Sequence, residues 1–409
     1  MMIRMNRRRL NIGVYHLMPY ARTEKHIQEL SDCGIDFVIR MENDRPALDL
    51  FHKYGLGAIL WDSVPFWWGG DGDNAGKLEE TCPLEQYDQA AASFEDHPAV
   101  WGIEVGDEPS ALDFPYYGKV IDRVNQLFPN QFAYLNLYPN YASVSQNSAQ
   151  ETVNQLGTSS YEEHIQQYCK YVPNDYLCYD FYLYSINVPK AYENLRVVAD
   201  ACQRTGRDMW IVLQVNSNKP DEWITENQLR FQAYTAMAFG VENVTWACYT
   251  AGWWHNQVLD EQGNKTQQYD KLRKVNQELH NLGEEYMRYR RVSTHFVGFS
   301  DSPWLEGVAQ EPIDQLSTGI FQNLHAADNG PLAVGQMVSR EEDGSHALMI
   351  CAADDPYDQQ TKTRQICFQV NGREVMAIGG EGKLPISRLA DGSASVEITS
   401  NAGVLLIAR

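Results

Sequence analysis

The chain has 409 residues, 44% of them hydrophobic, and a formal net charge of −21. That length builds a large core and leaves room for two domains. The charge argues against a nucleic-acid partner and an anionic membrane surface, and no apolar run approaches membrane-spanning length.

The N-terminus is basic, with Arg4, Arg7, Arg8 and Arg9, but no apolar signal core follows it. The eight cysteines show no Cys-x-x-Cys pair and read as reduced thiols. Both features predict a cytoplasmic protein. Short apolar runs then alternate with amphipathic stretches. Strands are expected near residues 11–17, 36–40, 57–62, 100–106, 132–138, 176–182, 209–215 and 243–249. Helices are expected near 24–33, 47–54, 84–94, 116–128, 161–171, 191–204, 225–239 and 266–290. Eight such units in about 285 residues match a (β/α)₈ TIM barrel. A doubly wound sheet would carry a glycine-rich phosphate turn after an early strand, and none is found.

After Arg291 helical periodicity stops. Alternating segments at 347–351, 364–370, 394–399 and 404–408 are separated by Asp343-Gly344, Asn371-Gly372 and Asp391-Gly392 turn signals. This predicts a C-terminal antiparallel β-sandwich, with residues 1–292 as the barrel and 293–409 as the second domain.

Parity along the strands sorts the barrel residues. In the fourth strand Trp101, Ile103, Val105 and Asp107 share one face, towards the helices. Gly102, Glu104, Gly106 and Glu108 share the other, towards the axis. Glu108 then stands at the carboxyl end, where such barrels keep their active sites. By the same count Asn136 and Tyr138, Cys178, Asp180 and Tyr182, and Gln214 and Asn216 face inward. Polar groups on four strand ends are not what barrel packing alone requires. His16 and Arg40 end the first two strands and add donors. Aromatics crowd the third and eighth loops: Trp61, Phe66, Trp67 and Trp68 in one, Tyr249, Trp253 and Trp254 in the other. Flat rings beside carboxylates and amides suit sugars, which have an apolar C–H face and a polar rim. Metal-ligand spacing is absent, and no metal or cofactor is expected.

The string Trp101-Gly102-Ile103-Glu104-Val105-Gly106-Asp107-Glu108-Pro109, with Tyr134-Leu135-Asn136-Leu137-Tyr138-Pro139 and Tyr179-Asp180-Phe181-Tyr182, resembles bacterial (β/α)₈ glycoside hydrolases of the β-galactosidase-like clan. Arg230 to Gly240 and Trp246-Ala247-Cys248-Tyr249 fit as well. The resemblance spans about residues 10–285. It implies that Glu108 is the acid/base. It places the nucleophile at the end of the seventh strand, where this chain has Gln214. An amide cannot take that role, so the second carboxylate must lie elsewhere. Asp180 is the first choice by parity, ahead of Asp107 and of Glu222 in the seventh loop. Asp107-Glu108 as neighbours also resemble hexosaminidase and chitinase-like barrels, where the substrate's acetamido group attacks.

The expectation is therefore a glycoside hydrolase for a small oligosaccharide or glycoside, with Glu108, Asp180 and Asp107 as catalytic candidates. His16, Arg40, Trp61, Trp68, Asn136, Tyr138, Tyr182, Gln214, Asn216, Tyr249, Trp253 and Trp254 are the substrate-binding candidates. An inactive sugar-binding protein on a hydrolase scaffold is the alternative that Gln214 keeps open. The pattern leaves the oligomeric state open.

Overall fold

The computed structural model describes residues 4–69, 74–143, 155–185, 188–250, 252, 254–298, 312–358 and 360–409. Eight β/α units run in sequence. β1 (Asn11–Tyr15) leads to α1 (Glu24–Asp32), and β2 (Phe37–Met41) to α2 (Arg45–Tyr54). β3 (Gly57–Leu60) is followed by a two-residue strand, β4 (Trp67–Trp68), then α3 (Leu78–Thr81) and α4 (Leu84–Ala92). β5 (Val100–Asp107) leads to α5 (Phe114–Leu127), β6 (Phe132–Asn136) to α6 (Tyr161–Tyr171), and β7 (Tyr176–Phe181) to α7 (Val188–Thr205). β8 (Asp208–Gln214) leads to α8 (Glu226–Ala238), and β9 (Val241–Ala247) to α9 (Gln267–Tyr286).

The strands pair in parallel in the order β4-β5-β3-β2-β1-β9-β8-β7, with β6 on β5. β6 meets β7 at a single bridge, Leu137 with Tyr179, where the Leu137 N–H donates to the Cys178 carbonyl at 2.8 Å. That contact closes the barrel. Local chemistry sets the helix starts: the Ser160 hydroxyl caps α6, and Thr225 with Gln228 forms a capping box on α8.

Two apolar layers follow from the alternation. Ile12, Val14, Val38, Leu135, Leu177, Ile211 and Leu213 pack outward against the helices. Tyr15, Phe37, Ile39, Ile59, Tyr134, Cys178, Trp210 and Val212 fill the barrel. The N-terminal segment crosses the amino ends of the strands and sends Met5 into the inner layer. Its arginines bind aspartates there: Arg4 with Asp96 (2.6 Å), Arg7 with Asp175 (3.1 Å) and Asp208, and Arg9 with Asp36 (2.6 Å). All eight cysteines are free.

Among the described residues the C-terminal part has ten strands: β10 (Tyr289–Val297), β11 (Phe321–Ala326), β12 (Leu332–Ser339), β13 (His346–Ala352), β14 (Thr363–Val370), β15 (Val375–Gly379), β16 (Gly382–Leu384), β17 (Ser387–Arg388), β18 (Ala394–Thr399) and β19 (Gly403–Ala408). They form two antiparallel sheets, ordered β10-β12-β13-β19-β15-β16 and β11-β14-β18-β17. β10 starts at Tyr289, so the expected division at residues 292/293 falls inside this strand. Both faces of the larger sheet are buried. Leu348, Ile350, Val404 and Leu406 face the smaller sheet, while Ala347, Met349, Leu405 and Ile407 join the barrel core beneath α8 and α9. A Cβ at Gly335 would sit 2.2 Å from the Ala238 carbonyl, so only glycine lets β12 approach the end of α8 this closely. Among the described residues no helix is long and apolar enough to cross a membrane.

Candidate active site

Two register shifts in β5 decide which acids reach the barrel mouth. Against β3, Ala58 pairs with Val100 and Ile59 with Gly102. The extra residue, Trp101, turns towards the inner layer, where its ring lies 6.4 Å from that of Phe37. Against β6, Glu104 pairs with Tyr134 but Gly106 with Leu135. This second shift reverses parity again. Gly106 now faces outward: a Cβ there would lie 2.1 Å from the Tyr117 hydroxyl. Asp107 faces inward, opposite Asn136. The parity reading that put Trp101 and Asp107 on the helix side is therefore corrected.

Backbone strain marks the same rim. His16, Arg40 and Glu108 have φ of 73, 60 and 46°, the left-handed region that costs a side-chain-bearing residue about 1–2 kcal/mol. β2 is also out of register between Val38 and Met41, and Arg40 leaves its regular parity and reaches the axis. Its Nη2 donates to Glu104 Oε1 at 2.7 Å and to Asp107 Oδ2 at 3.0 Å. The rings of Tyr15 and Phe66 cover the guanidinium, with centroids 5.0 and 4.8 Å away.

Asn136 ties two acids together. Its Nδ2 donates to Asp180 Oδ1 at 2.8 Å and to Asp107 Oδ1 at 3.2 Å. The Tyr15 hydroxyl donates to Asp107 Oδ2 at 3.3 Å. Burial raises the Asp180 carboxyl, and the Asp107 charge raises it further against the pull of Asn136 and Tyr141. Glu104, fully buried under Arg40, is pushed up to about 7 by burial despite the arginine. Glu108 leaves β5 with its N–H on the Asn136 carbonyl at 2.9 Å, and its Oε2 accepts from Trp68 Nε1 at 3.2 Å. Burial, then the charges of Asp180 and Glu108, raise the phenols of Tyr141 and Tyr182. The Tyr182 ring meets that of Trp254 edge-on at 4.5 Å. Trp68 is 55% exposed, and Trp61 packs edge-on with Phe66. Burial, then Arg40, lowers His16.

The mouth thus gathers Glu108, Asp107, Asp180, Asn136, Arg40, His16, Tyr182, Trp61, Trp68 and Trp254. Two expected binding residues pack away from the axis, and two more are buried at the strand ends with their amides held by backbone groups. Tyr249 is fully buried in the layer between sheet and helices. Tyr138 also packs in that layer, because β6 ends at Asn136 and the alternation stops there. The Gln214 amide accepts from the Tyr184 N–H at 3.1 Å and donates to the Asn216 carbonyl at 3.0 Å, so it anchors the β7 loop. Asn216 accepts from the Cys248 N–H at 2.8 Å and braces the end of β9. Trp253 lies outside the described residues. Glu222 is an exposed loop acid paired with Lys219 at 2.8 Å. Sequence reasoning missed Tyr15, Glu104 and Tyr141 as site residues. Inward parity on β1 and β5 pointed to the first two, whereas Tyr141 sits in a loop with no periodic signal.

A cavity of about 500 Å³ lies away from the mouth, between α8, α9 and the sandwich. There Arg230 pairs with Glu278 at 2.6 Å and Lys274 with Glu226 at 2.8 Å. Among the described residues no His, Cys, Asp and Glu cluster fits a metal ion.

No protein-family model matches the chain, and no curated protein matches it. Solved structures do. A Paenibacillus sp. cycloisomaltooligosaccharide glucanotransferase, complexed with cycloisomaltoheptaose, aligns over 98% of this chain and 85% of its own, at 9% identity and a TM-score of 0.56. The chain has the barrel-plus-β fold of that enzyme. Two further matches are a Rhizomucor miehei family 5 mannosidase (10% identity, 67% and 94% coverage, TM-score 0.47) and the family 98 glycoside hydrolase catalytic module of Streptococcus pneumoniae (8%, 100% and 100%, 0.43). The expected fold, a (β/α)₈ barrel followed by an antiparallel β-sandwich, is the fold observed.

Proposed function

We propose that this chain hydrolyses O-glycosidic bonds, with Glu108 as proton donor and Asp107 as the anion facing the anomeric carbon. The observation that carries the reading is the inward turn of Asp107 beside Glu108 at the carboxyl end of a barrel strand. Glu108 would protonate the leaving oxygen and then deprotonate water. Asp107, fixed by Arg40, Tyr15 and Asn136, would meet the positive charge that develops on the sugar. The preference for Asp180 over Asp107 rested on parity, and the register shift removes that ground. Asp180, raised by burial, suits a proton-holding support for Asp107 through Asn136. Trp61, Trp68 and Trp254 offer apolar faces to sugar rings.

Asp107 next to Glu108 also fits a second route. There the oxygen of a 2-acetamido group on the substrate attacks, and Asp107 orients that group. A panel of aryl glycosides in both anomers, assayed with wild type, Asp107→Asn and Asp180→Asn, tests the reading. Turnover by wild type, loss in Asp107→Asn and partial retention in Asp180→Asn support it. Azide rescue of Asp107→Asn marks direct attack; turnover confined to 2-acetamido glycosides marks the assisted route. Binding without turnover in wild type contradicts hydrolysis and favours a sugar-binding protein. A dead Asp180→Asn beside an active Asp107→Asn restores Asp180 as the second carboxylate.

A further inference from the structure

The cavity of about 500 Å³ lies where the sandwich meets α8 and α9, and both domains build it. Its size is that of a ligand pocket. On the barrel side Arg230 donates twice to Glu278 (2.6 and 2.8 Å) and once to Glu226 (3.1 Å), and Lys274 donates to Glu226 at 2.8 Å. These side chains fix one another in place. On the sandwich side glycines form part of the wall. A Cβ at Gly380 would sit 2.6 Å from Glu278 Cβ, and one at Gly403 would sit 2.3 Å from the Tyr234 ring. Leu384, Ile398 and Ala402 add apolar surface.

Thr225 and Asn227 at the start of α8 also line the cavity, so one end of it lies on the carboxyl-end side of the barrel, where the mouth is. The sandwich sends a turn onto the same side. The Tyr357 N–H donates to Asp355 Oδ1 at 2.8 Å, and Asn227 Nδ2 donates to the carbonyl of Asp358, itself a lining residue, at 3.0 Å. Held by these ties, Tyr357 is 54% exposed and meets the Tyr184 ring edge-on at 5.8 Å. Tyr184 lies in the turn after β7, two residues beyond the mouth residue Tyr182, and its N–H donates to Gln214 at 3.1 Å. A pinned aromatic face on the second domain thus stands beside the cavity and against a loop of the barrel rim.

An ion pair such as Arg230 with Glu278 can hydrogen-bond a hydroxyl at its outer edge while each charge keeps its partner, and apolar or aromatic side chains meet the C–H face of a sugar ring. We propose that this junction is a second carbohydrate site, which holds a remote segment of the glycan whose scissile bond lies in the mouth, with Tyr357 as the stacking face at its entrance. The choice of a glycan as ligand rests on the glycosidase reading of the mouth. Two sites joined in one protein raise the affinity for a long chain through local concentration and leave a short substrate unaffected. The second domain therefore selects for chain length.

Native gels cast with soluble dextran, mannan, xylan or mixed-linkage glucan test it. Retardation is read for the wild type, for Tyr357→Ala and for Thr399→Trp, which fills the cavity from an exposed lining position. At least one polysaccharide should retard the wild type, and both variants should lose that retardation while melting at the wild-type temperature. On the same polysaccharide their kcat/KM should fall by about tenfold or more, whereas turnover of aryl monoglycosides should match the wild type. No retardation of the wild type by any of the four, or wild-type retardation in either variant, overturns the inference and leaves the glycosidase reading standing. Retardation that depends on Tyr357, with no polysaccharide and no aryl glycoside cleaved, contradicts that reading and keeps the second site.

Discussion

At the amino ends of the barrel strands, arginines and aspartates pair within one segment's reach: Arg4 with Asp96, Arg7 with Asp175 and Asp208, Arg9 with Asp36. At the carboxyl ends a single arginine is divided between Glu104 and Asp107, while Asn136 couples Asp107 to Asp180. The first arrangement balances charge and ties the N-terminal segment across the barrel floor. The second crowds acids into a buried pocket and lifts two of them, Glu104 and Asp180, well above the usual carboxylate range. Barrels keep stability at one face and chemistry at the other, and here the division is visible in how each face treats its charges.

The sharpest break in that comparison is Asp107→Asn. It should keep the fold, because the amide can still accept from Arg40 and Tyr15. It should cost about 10²–10³ in kcat, the usual loss when one electrostatic group facing the transition state is removed. Steady-state kinetics beside a thermal melt check both halves. A variant that unfolds would make Asp107 a structural residue instead.

Glu104 gives the next largest effect, on pH dependence. Its carboxyl binds its proton near 7 in the folded chain, against about 4.5 for an ordinary glutamate in water. Between those values the folded state holds a proton the unfolded state has released, so stability falls as pH rises through this window. Asp180, also raised, acts in the same direction. Glu104→Gln should flatten the fall by about 1–3 kcal/mol between roughly pH 5 and pH 8, read from urea midpoints. An unchanged slope would mean that Arg40 keeps Glu104 ionised throughout.

Arg7→Ala probes the opposite face. The Arg7 and Asp208 side chains are 24% and 19% exposed, so loss of the pair should cost about 1–2 kcal/mol of stability and leave kcat and KM unchanged. A fall in kcat without a fall in stability would erase the distinction between the two ends. Trp68→Phe should have the smallest effect. It removes the N–H donated to Glu108 but keeps an aromatic face, so KM should rise by about three- to tenfold, the range of one modest hydrogen bond.

The architecture was legible because it rests on periodicity. Apolar residues at strand and helix spacing fixed all eight units, and the loss of that spacing after Arg291 marked the sandwich. The site was legible only in part. Asn136 and Asp180 stand on the face that parity gave them, but parity holds only while register holds, and Glu108 follows the shift with a left-handed φ of 46°. The shifts in β2 and β5 sit between ordinary residues, Val38–Met41 and Glu104–Gly106, and a one-residue slip moves every later side chain to the other face. Gly106 was the available clue, since a bare Cα permits such a bulge. Tyr249 and Tyr138 misled for the converse reason: a polar tip on a large ring reads equally well as core or rim.

The most direct test of Glu108 as proton donor compares leaving groups. Glu108→Gln should lose about 10²–10⁴ in turnover of an aryl glycoside with a poor leaving group, which needs protonation, and far less with a dinitrophenyl leaving group, which does not. Equal losses on both substrates, or no loss on either, would contradict the assignment.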